Sequence, residues 1–190
     1  MAQDRTSKPL LALIILTYLA VGGLYALRTP DWQTPDEPAH YNYTRQLVES
    51  GKVPMIESGD WDQAYLGELT SSRFAPETLA NLDTVQYEDH QPPFYYMLAA
   101  PVYALSNGDL TALRLFSVLI GLIILVSAYG IGKAMFPERS QIGLGAAAFV
   151  AFLPQHVAFL AAANNDALGW ALVALMLWGT VVYLKQDLSV

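Results

Sequence analysis

Cysteine is absent from the sequence, and charged residues occupy only 14% of its 190 positions. Without thiols, neither disulfide bonds nor thiolate chemistry is available to the chain. The scarcity of charge, together with 54% hydrophobic residues and a positive mean hydropathy, excludes an ordinary soluble domain. Lysine and arginine total 10 against 17 acidic residues, so the basic surface that a nucleic acid partner requires is lacking. These shortages predict an integral membrane protein that contacts the lipid bilayer and has no nucleic acid partner.

Long apolar runs account for the hydrophobic composition. About 20 apolar residues are needed to cross the hydrocarbon core of a bilayer as a helix. The runs of suitable length are 9–27, 110–136, 142–163 and 167–184. We therefore predict an all-α integral membrane fold with about four transmembrane helices, forming a single membrane domain over residues 1–190. In the third run, Gly143 and Gly145 permit close helix packing, and Pro154 predicts a kink.

A large polar loop separates the first two runs. Thirteen of the 17 acidic residues lie within 28–109, and a loop of this length is more often folded than a plain connection. Apolar residues recur every three to four positions over 37–50, while 94–105 is apolar and rich in tyrosine, so both are predicted to be juxtamembrane amphipathic helices. Residues 54–70 are acidic, and we predict turns there. The tyrosine and tryptophan side chains are mostly expected in the interfacial belt.

The basic residues near the ends of the runs predict the topology. Arg5 and Lys8 precede the first run, Lys133 and Arg139 flank the connection between the second and third, and Lys185 ends the fourth. If the runs alternate in direction, all of these residues lie on one side of the membrane. By the positive-inside rule that side is cytoplasmic. The N- and C-termini are therefore predicted to be cytoplasmic and the large loop extracytoplasmic.

The most distinctive stretch follows the first run and reads Thr-Pro-Asp-Glu-Pro-Ala-His-Tyr over 34–41. Its prolines are tolerated in the first turn of a helix, where backbone donors are free. Asp36 is placed to cap such a helix, and Glu37 lies in its first turn, where the helix dipole favours negative charge. His40 follows by three and four positions and can share their face. A capped helix and a functional site are both open interpretations.

Other polar residues converge on the same predicted side of the membrane. They are Asp89, His90, His156 and Asp166. A charge inside the bilayer costs about 2.5 to 3.5 kcal/mol on insertion scales, so Asp166 is expected to face protein or water. Simpler interpretations are also open: His90 could bond a loop, Asn164–Asp166 could form a turn and helix cap, and Arg114 could snorkel to headgroups.

A metal site is not indicated by spacing, because the three histidines do not match a zinc motif. Carboxylate and imidazole ligands together would suit Mg²⁺ or Mn²⁺ better than a structural zinc ion. Asp36 and His90 are the candidate ligands for such an ion. Mg²⁺ or Mn²⁺ is thus possible, and no other cofactor is predicted.

The order of these motifs resembles a known family. Pro-Asp-Glu-Pro-Ala-His-Tyr after the first run, His-Gln-Pro-Pro-Phe-Tyr-Tyr at 90–96 and Asn-Asn-Asp at 164–166 follow one another as in the N-terminal part of GT-C glycosyltransferases. The chain is most similar to the branch that contains dolichyl-phosphate-mannose protein mannosyltransferases and aminoarabinose transferases. The order of the motifs relative to the apolar runs, more than any single motif, makes up the resemblance.

The resemblance implies transfer of a sugar from a polyprenyl-phosphate donor to an acceptor at the extracytoplasmic face. A loop acid of the family falls on Asp36 or Glu37, with Asp36 as the base and Glu37 and His90 orienting the acceptor or a metal. Arg114 would contact the donor phosphate. The remaining residues expected to bind substrate are His40, Gln91, His156, Asn165 and Asp166.

The number of predicted spans departs from the family. Its members usually have more spans than the four predicted here, and those spans supply contacts to the donor. We therefore expect further spans or a partner membrane protein to complete the module. The alternative hypothesis is a noncatalytic accessory or structural transmembrane subunit of a larger membrane complex, derived from the same fold.

Overall fold

The structure of the chain is a computed structural model that describes residues 2–187. Over that range every regular element is helical, which confirms the predicted all-α class. The α-helices are α1 Ala2–Arg28, α2 Glu37–Ser50, α3 Gln63–Ser71, α4 Phe94–Leu105, α5 Leu110–Met135, α6 Ser140–Phe152, α7 Pro154–Leu160 and α8 Asp166–Asp187. A 3₁₀ segment covers Pro76–Thr84.

Three of the described helices are long and apolar enough to cross a membrane, namely Ser7–Arg28 within α1, Leu110–Met135, and Asp166–Lys185 within α8. Helices α6 and α7 would supply a fourth crossing if they act as one broken span. This agrees with the prediction of about four transmembrane helices and with an integral membrane protein.

The third apolar run is broken where Pro154 predicts a kink. Helix α6 ends at Phe152, Leu153 is extended, and α7 starts at Pro154, with a bend of 66° between the two helices. Proline lacks the N–H that would continue the helix, and its ring clashes with the preceding turn. The continuous span expected over 142–163 is therefore two helices followed by a turn.

Helices α2 and α4 coincide with the predicted segments 37–50 and 94–105, while their location on a membrane surface stays a prediction. The prediction of turns throughout 54–70 is wrong for its second half, where α3 forms. The Asp62 carboxylate starts that helix by accepting hydrogen bonds from the backbone N–H groups of Ala64 and Tyr65 at 2.9 and 3.1 Å.

By their contacts, the residues group into two compact units. The loop unit contains Ala26–Phe116 and Ala162–Asn165. The span unit contains the chain up to Tyr25, Ser117–Ala161 and the chain from Asp166 onward. The single membrane domain expected over 1–190 stays a prediction.

The loop unit has a small apolar core between α2, α3 and the segment after the 3₁₀ turn. Ala39, Leu69 and Val85 are buried at its centre. Helix α2 is also tied to this segment by Asn42, whose Nδ2 donates to the carbonyl oxygens of Leu82 and Val85 at 2.7 and 2.8 Å. The first helix of the loop unit is therefore fixed by both apolar burial and hydrogen bonds.

In the span unit, glycine permits the close approach of α5 and α6. A Cβ added to Gly132 would lie 2.6 Å from the Cα of Gly143, and one added to Gly143 would lie 2.8 Å from the carbonyl oxygen of Tyr129. Gly145, by contrast, has open space around it. Of the two glycines predicted to allow close packing, Gly143 is the one in a tight contact.

Candidate functional site

Asp36 immediately precedes α2 and has a left-handed backbone, with φ 59° and ψ 2°. Aspartate tolerates this region better than most residues, although glycine adopts it more readily. Its carboxylate makes no capping hydrogen bond to the helix. Instead, the exposed side chain accepts a hydrogen bond from the hydroxyl of Tyr87 at 2.7 Å. The carboxylate of Asp36 is thus held by a distant tyrosine and does not serve as a helix cap.

Glu37, the next residue, is fully buried. Its Oε1 accepts from Nε of Arg114 at 2.8 Å and its Oε2 from Nη2 of the same guanidinium at 2.6 Å. The two carboxylate oxygens also accept from the backbone N–H groups of Trp32 and Ala163, each at 3.2 Å. Glu37 therefore connects the start of α2 with α5, the segment after α1 and the turn before α8.

Arg114 uses all of its donor groups within the loop unit. Besides the two bonds to Glu37, its terminal nitrogens donate to the carbonyl oxygens of Ala26, Thr29 and Pro30 at 3.2, 2.8 and 3.1 Å. The side chain is 1% exposed, so it does not snorkel to a surface. Removing one member of a buried ion pair typically costs about 3 to 5 kcal/mol. The predicted contact of Arg114 with a donor phosphate stays a prediction, and the geometry favours a structural role.

His40 lies one turn after Asp36 and is buried against α4. Its Nδ1 is 2.8 Å from the hydroxyl of Tyr96, and that tyrosine ring stacks on Tyr43 with centroids 3.6 Å apart. Burial lowers the pKa of His40 to about 4, with Asp36 acting in the opposite direction and His90 in the same one. At neutral pH the imidazole is therefore uncharged, and it is 5% exposed.

His90 is exposed, and its Nδ1 lies 2.8 Å from the carbonyl oxygen of Tyr87. Tyr87 therefore contacts both Asp36, through its hydroxyl, and His90, through its backbone. The structure brings these two predicted catalytic residues to the same tyrosine, although 54 positions separate them in the sequence.

Gln91 and Asn165 form a chain of amide contacts in the loop unit. Nδ2 of Asn165 donates to Oε1 of Gln91 at 3.0 Å, and Nε2 of Gln91 donates to Oε2 of Glu88 at 2.7 Å. The two predicted substrate-binding amides are thus in contact with each other. Their contact with substrate stays a prediction.

Asp89 is a buried acid of the same loop, 4% exposed. Its Oδ2 accepts from Nε2 of Gln46 at 2.8 Å, while its Oδ1 has no hydrogen-bond partner among the residues that the structure describes. Burial raises the pKa of Asp89, and the hydrogen bond from Gln46 acts in the opposite direction. This acid is better placed to affect stability than to meet a substrate.

His156 and Asp166 belong to the span unit. Nδ1 of His156 lies 3.1 Å from the carbonyl oxygen of Val150, and the ring stacks on Trp170 with centroids 5.5 Å apart. Both rings line a pocket of about 440 Å³ with Leu153, Gln155 and Phe159. Asp166 is the first residue of α8. Substrate contacts of His156 and Asp166 stay predictions.

The side chains do not fit a metal ion well. Between residues 2 and 187, no group of three or more histidine, aspartate and glutamate side chains is arranged to hold one. Asp36 and His90 supply two donor groups, and Tyr87 already engages one atom of each. Octahedral Mg²⁺ and Mn²⁺ sites require a fuller oxygen-rich set of ligands. We therefore assign no chemical step to a metal.

Sequence reasoning missed Tyr87 and Tyr96, which contact the site directly. Tyrosine side chains are mostly expected in the interfacial belt, and nothing in the spacing of Tyr87 and Tyr96 distinguishes them from belt residues. The partners are distant in sequence: Tyr87 reaches Asp36 across 51 positions and Tyr96 reaches His40 across 56. A hydrogen bond over such a separation leaves no local sequence signal.

The fold and the site together define a helical integral membrane protein whose loop unit presents a carboxylate and an imidazole on one tyrosine. The family model for dolichyl-phosphate-mannose-protein mannosyltransferases matches residues 90–189, more than half of the chain, and the chain belongs to this family. This confirms the resemblance to GT-C glycosyltransferases. No curated protein and no solved structure matches the chain. The matched region starts at His90, so Asp36, Glu37 and His40 precede it.

Proposed function

We propose that this chain is a GT-C glycosyltransferase module that transfers a sugar from a polyprenyl-phosphate donor to an acceptor, with Asp36 as the catalytic base. Membership of the mannosyltransferase family supports the reaction class. The observation that supports the assignment of the base is the exposed carboxylate of Asp36 beside the fully buried Glu37. Of the two adjacent acids, only Asp36 is accessible to an incoming acceptor.

The proposed step requires one proton acceptor and one leaving group. Asp36 takes the proton of an acceptor hydroxyl as its oxygen forms a bond to the anomeric carbon of the sugar. The bond between that carbon and the phosphate oxygen breaks, and polyprenyl phosphate leaves with the electron pair. One oxygen of Asp36 is engaged by Tyr87, and the other is the proposed proton acceptor.

Glu37 and Arg114 would position the base without contacting the substrate. Glu37 is saturated by the guanidinium and two backbone N–H groups. Because Asp36 adjoins this fixed residue, its backbone is anchored on one side by the buried pair and on the other by Pro35. This anchoring supports the left-handed conformation that turns the Asp36 carboxylate outward.

The test is sugar transfer by the purified full chain in lipid nanodiscs, with dolichyl-phosphate mannose as the donor, since the family description names it. We expect Asp36→Asn to reduce turnover by about a hundredfold or more, because it removes a general base, and to retain the unfolding midpoint of the wild-type chain. Glu37→Gln should instead lower that midpoint, because it leaves Arg114 buried without its counter-charge.

Asp83→Asn is the control, since Asp83 is an exposed aspartate of the same loop unit. It should retain wild-type turnover. Undiminished transfer by Asp36→Asn would remove Asp36 from the role of base. If the wild-type chain transfers no sugar either alone or together with the membrane protein that co-purifies with it, the catalytic proposal itself fails and the accessory membrane subunit becomes the better hypothesis.

A further inference from the structure

We propose that Tyr87 is the positioning residue of this site, holding the Asp36 carboxylate with its hydroxyl and the His90 ring with its backbone carbonyl. The role of Tyr87 in catalysis rests on the proposed function. Its hydrogen bonds to Asp36 and His90 can be tested without measuring turnover. Neither the family motifs nor the spacing of the acidic stretch indicates this residue.

The placement of Tyr87 is fixed independently of the two residues that it holds. Its ring is partly buried and packs on the apolar core formed by Ala39, Leu69 and Val85. The ring of Trp61 meets it edge-on with centroids 4.9 Å apart. A side chain that is packed in this way can aim its hydroxyl at Asp36 without losing much rotamer freedom on contact.

The hydroxyl of Tyr87 keeps its proton and is a hydrogen-bond donor at any pH relevant to activity. Burial raises the pKa of Tyr87 well above its usual value, and the neighbouring Asp36 and Glu88 carboxylates raise it further. The phenol therefore stays protonated and donates to Oδ1 of Asp36 at 2.7 Å. Hydrogen bonds of this kind to an ionised carboxylate are short and stronger than bonds between neutral groups.

The carbonyl oxygen of Tyr87 determines which nitrogen of His90 carries the proton. A carbonyl oxygen only accepts, so Nδ1 of His90 must be the donor at 2.8 Å. In the neutral ring the other nitrogen, Nε2, then carries a lone pair. His90 is exposed, so this nitrogen is available to accept a hydrogen bond from an acceptor hydroxyl. Besides Asp36, the titratable groups near Tyr87 and His90 are His40, Glu88 and Asp89.

Tyr87→Phe tests the role of the hydroxyl, because phenylalanine keeps the ring packing and the backbone carbonyl. Tyr65→Phe is the matched control: Tyr65 packs on the same core, but its hydroxyl donates to the carbonyl oxygen of Thr78 at 2.8 Å. In a chain that transfers sugar, we expect Tyr87→Phe to lower kcat about tenfold or more with KM little changed. Tyr65→Phe should change neither.

A second measurement does not require turnover. The purified full chain is treated with a water-soluble carbodiimide and an amine at mildly acidic pH, and the labelling of Asp36 relative to Asp31 is read by mass spectrometry. Asp31 is the internal reference, since its side chain is 70% exposed. Tyr87→Phe should raise the ratio severalfold, because the carboxylate freed from the Tyr87 hydroxyl is more accessible to the carbodiimide. Tyr65→Phe should leave the ratio unchanged.

The two measurements separate the two proposals. An unchanged labelling ratio in Tyr87→Phe overturns the hold of Tyr87 on Asp36, whatever the turnover does. In an active chain, wild-type kcat in Tyr87→Phe also overturns its role as a positioning residue. A raised labelling ratio together with full turnover in Asp36→Asn would instead retain the contact and reject Asp36 as the base.

Discussion

At the scale of single residues, Asp36 and Glu37 are neighbours in the chain but meet different surroundings. Glu37 is buried with four hydrogen bonds, two of them from Arg114. Asp36 is exposed and held by Tyr87. A buried carboxylate requires such compensation, because desolvation of an unpaired charge is costly. The exposed neighbour is left free for chemistry.

The buried His40 predicts a dependence of stability on pH. Its pKa is about 4 in the folded chain and about 6.5 when unfolded. Between these values the unfolded state binds more protons than the folded state. The contribution of the neutral His40 ring to the free energy of unfolding is therefore complete above about pH 6.5 and is lost as the pH falls towards 4. The loss amounts to about 3 kcal/mol. Asp89, whose folded pKa is raised, contributes with the opposite sign.

The measurement is the unfolding midpoint of the full chain between pH 4 and 8. His40→Gln should flatten the acid side of the curve relative to the wild-type chain. His90 is the last of the named contributors to the lowered pKa of His40, so His90→Gln should weaken the wild-type dependence far less than His40→Gln does. An identical acid dependence in His40→Gln would show that this imidazole does not carry the effect.

At the scale of helices, α5 and α6 approach closely at glycine. Gly132 and Gly143 face each other with no space for a Cβ, whereas Gly145 on the same helix has space around it. In a bilayer the hydrophobic effect does not drive helices together, because the lipid tails are also apolar. Close backbone approach at glycine lets the helices associate through van der Waals contacts instead. Gly143 is therefore a packing residue of the span unit.

Alanine substitutions should distinguish the two glycines. Gly143→Ala places a Cβ 2.8 Å from the carbonyl oxygen of Tyr129 and should destabilise the chain by about 1 to 3 kcal/mol. Gly145→Ala should be neutral or slightly stabilising, since alanine has the higher helix propensity. Thermal unfolding in one detergent compares the two variants, and equal midpoints would contradict the close packing at Gly143.

The helices were largely predictable from the sequence, because length, hydropathy and periodicity act locally. The ranges 37–50 and 94–105 recur as α2 and α4, and Pro154 indicated the break between α6 and α7. Helix α3 was not predicted, because the acidic composition of 54–70 favours turns and its N-cap Asp62 is one of several acidic residues there. Its buried residue Leu69 packs in a core with Ala39 and Val85, which are distant from it in the sequence.

The sequence allowed residues of the candidate site to be proposed, but not the contacts that they make. Asp36 and His90 were identified from motif order and do share one tyrosine. The pairing of Glu37 with Arg114 spans 77 positions and leaves no local pattern. For the same reason the sequence could not tell which of the two adjacent acids is buried.

At the scale of the whole molecule, the chain combines candidate membrane spans with a separately compact loop unit. The distribution of basic residues predicts that the loop unit is extracytoplasmic and that the connection between α5 and α6 is cytoplasmic. An outward loop unit would place Asp36 on the side of the membrane where the proposed acceptor is met. The orientation is thus part of the proposed function.

The lack of native cysteine makes this orientation simple to test. Ser58→Cys and Glu138→Cys each introduce one thiol at an exposed position, the first in the loop unit and the second between α5 and α6. In intact cells, a membrane-impermeant maleimide should label Ser58→Cys, but should label Glu138→Cys only after permeabilisation. The reverse pattern would invert the predicted topology.

The break between α6 and α7 has a further chemical consequence. In an unbroken helix the carbonyl oxygen of Val150 would accept from the N–H four residues later, but that residue is Pro154, which has none. Nδ1 of His156 lies 3.1 Å from this same oxygen and supplies the missing donor. The segment thus replaces a lost main-chain bond with an imidazole from its own next turn. A bend of 66° within an apolar run can therefore be maintained without a water molecule at that carbonyl.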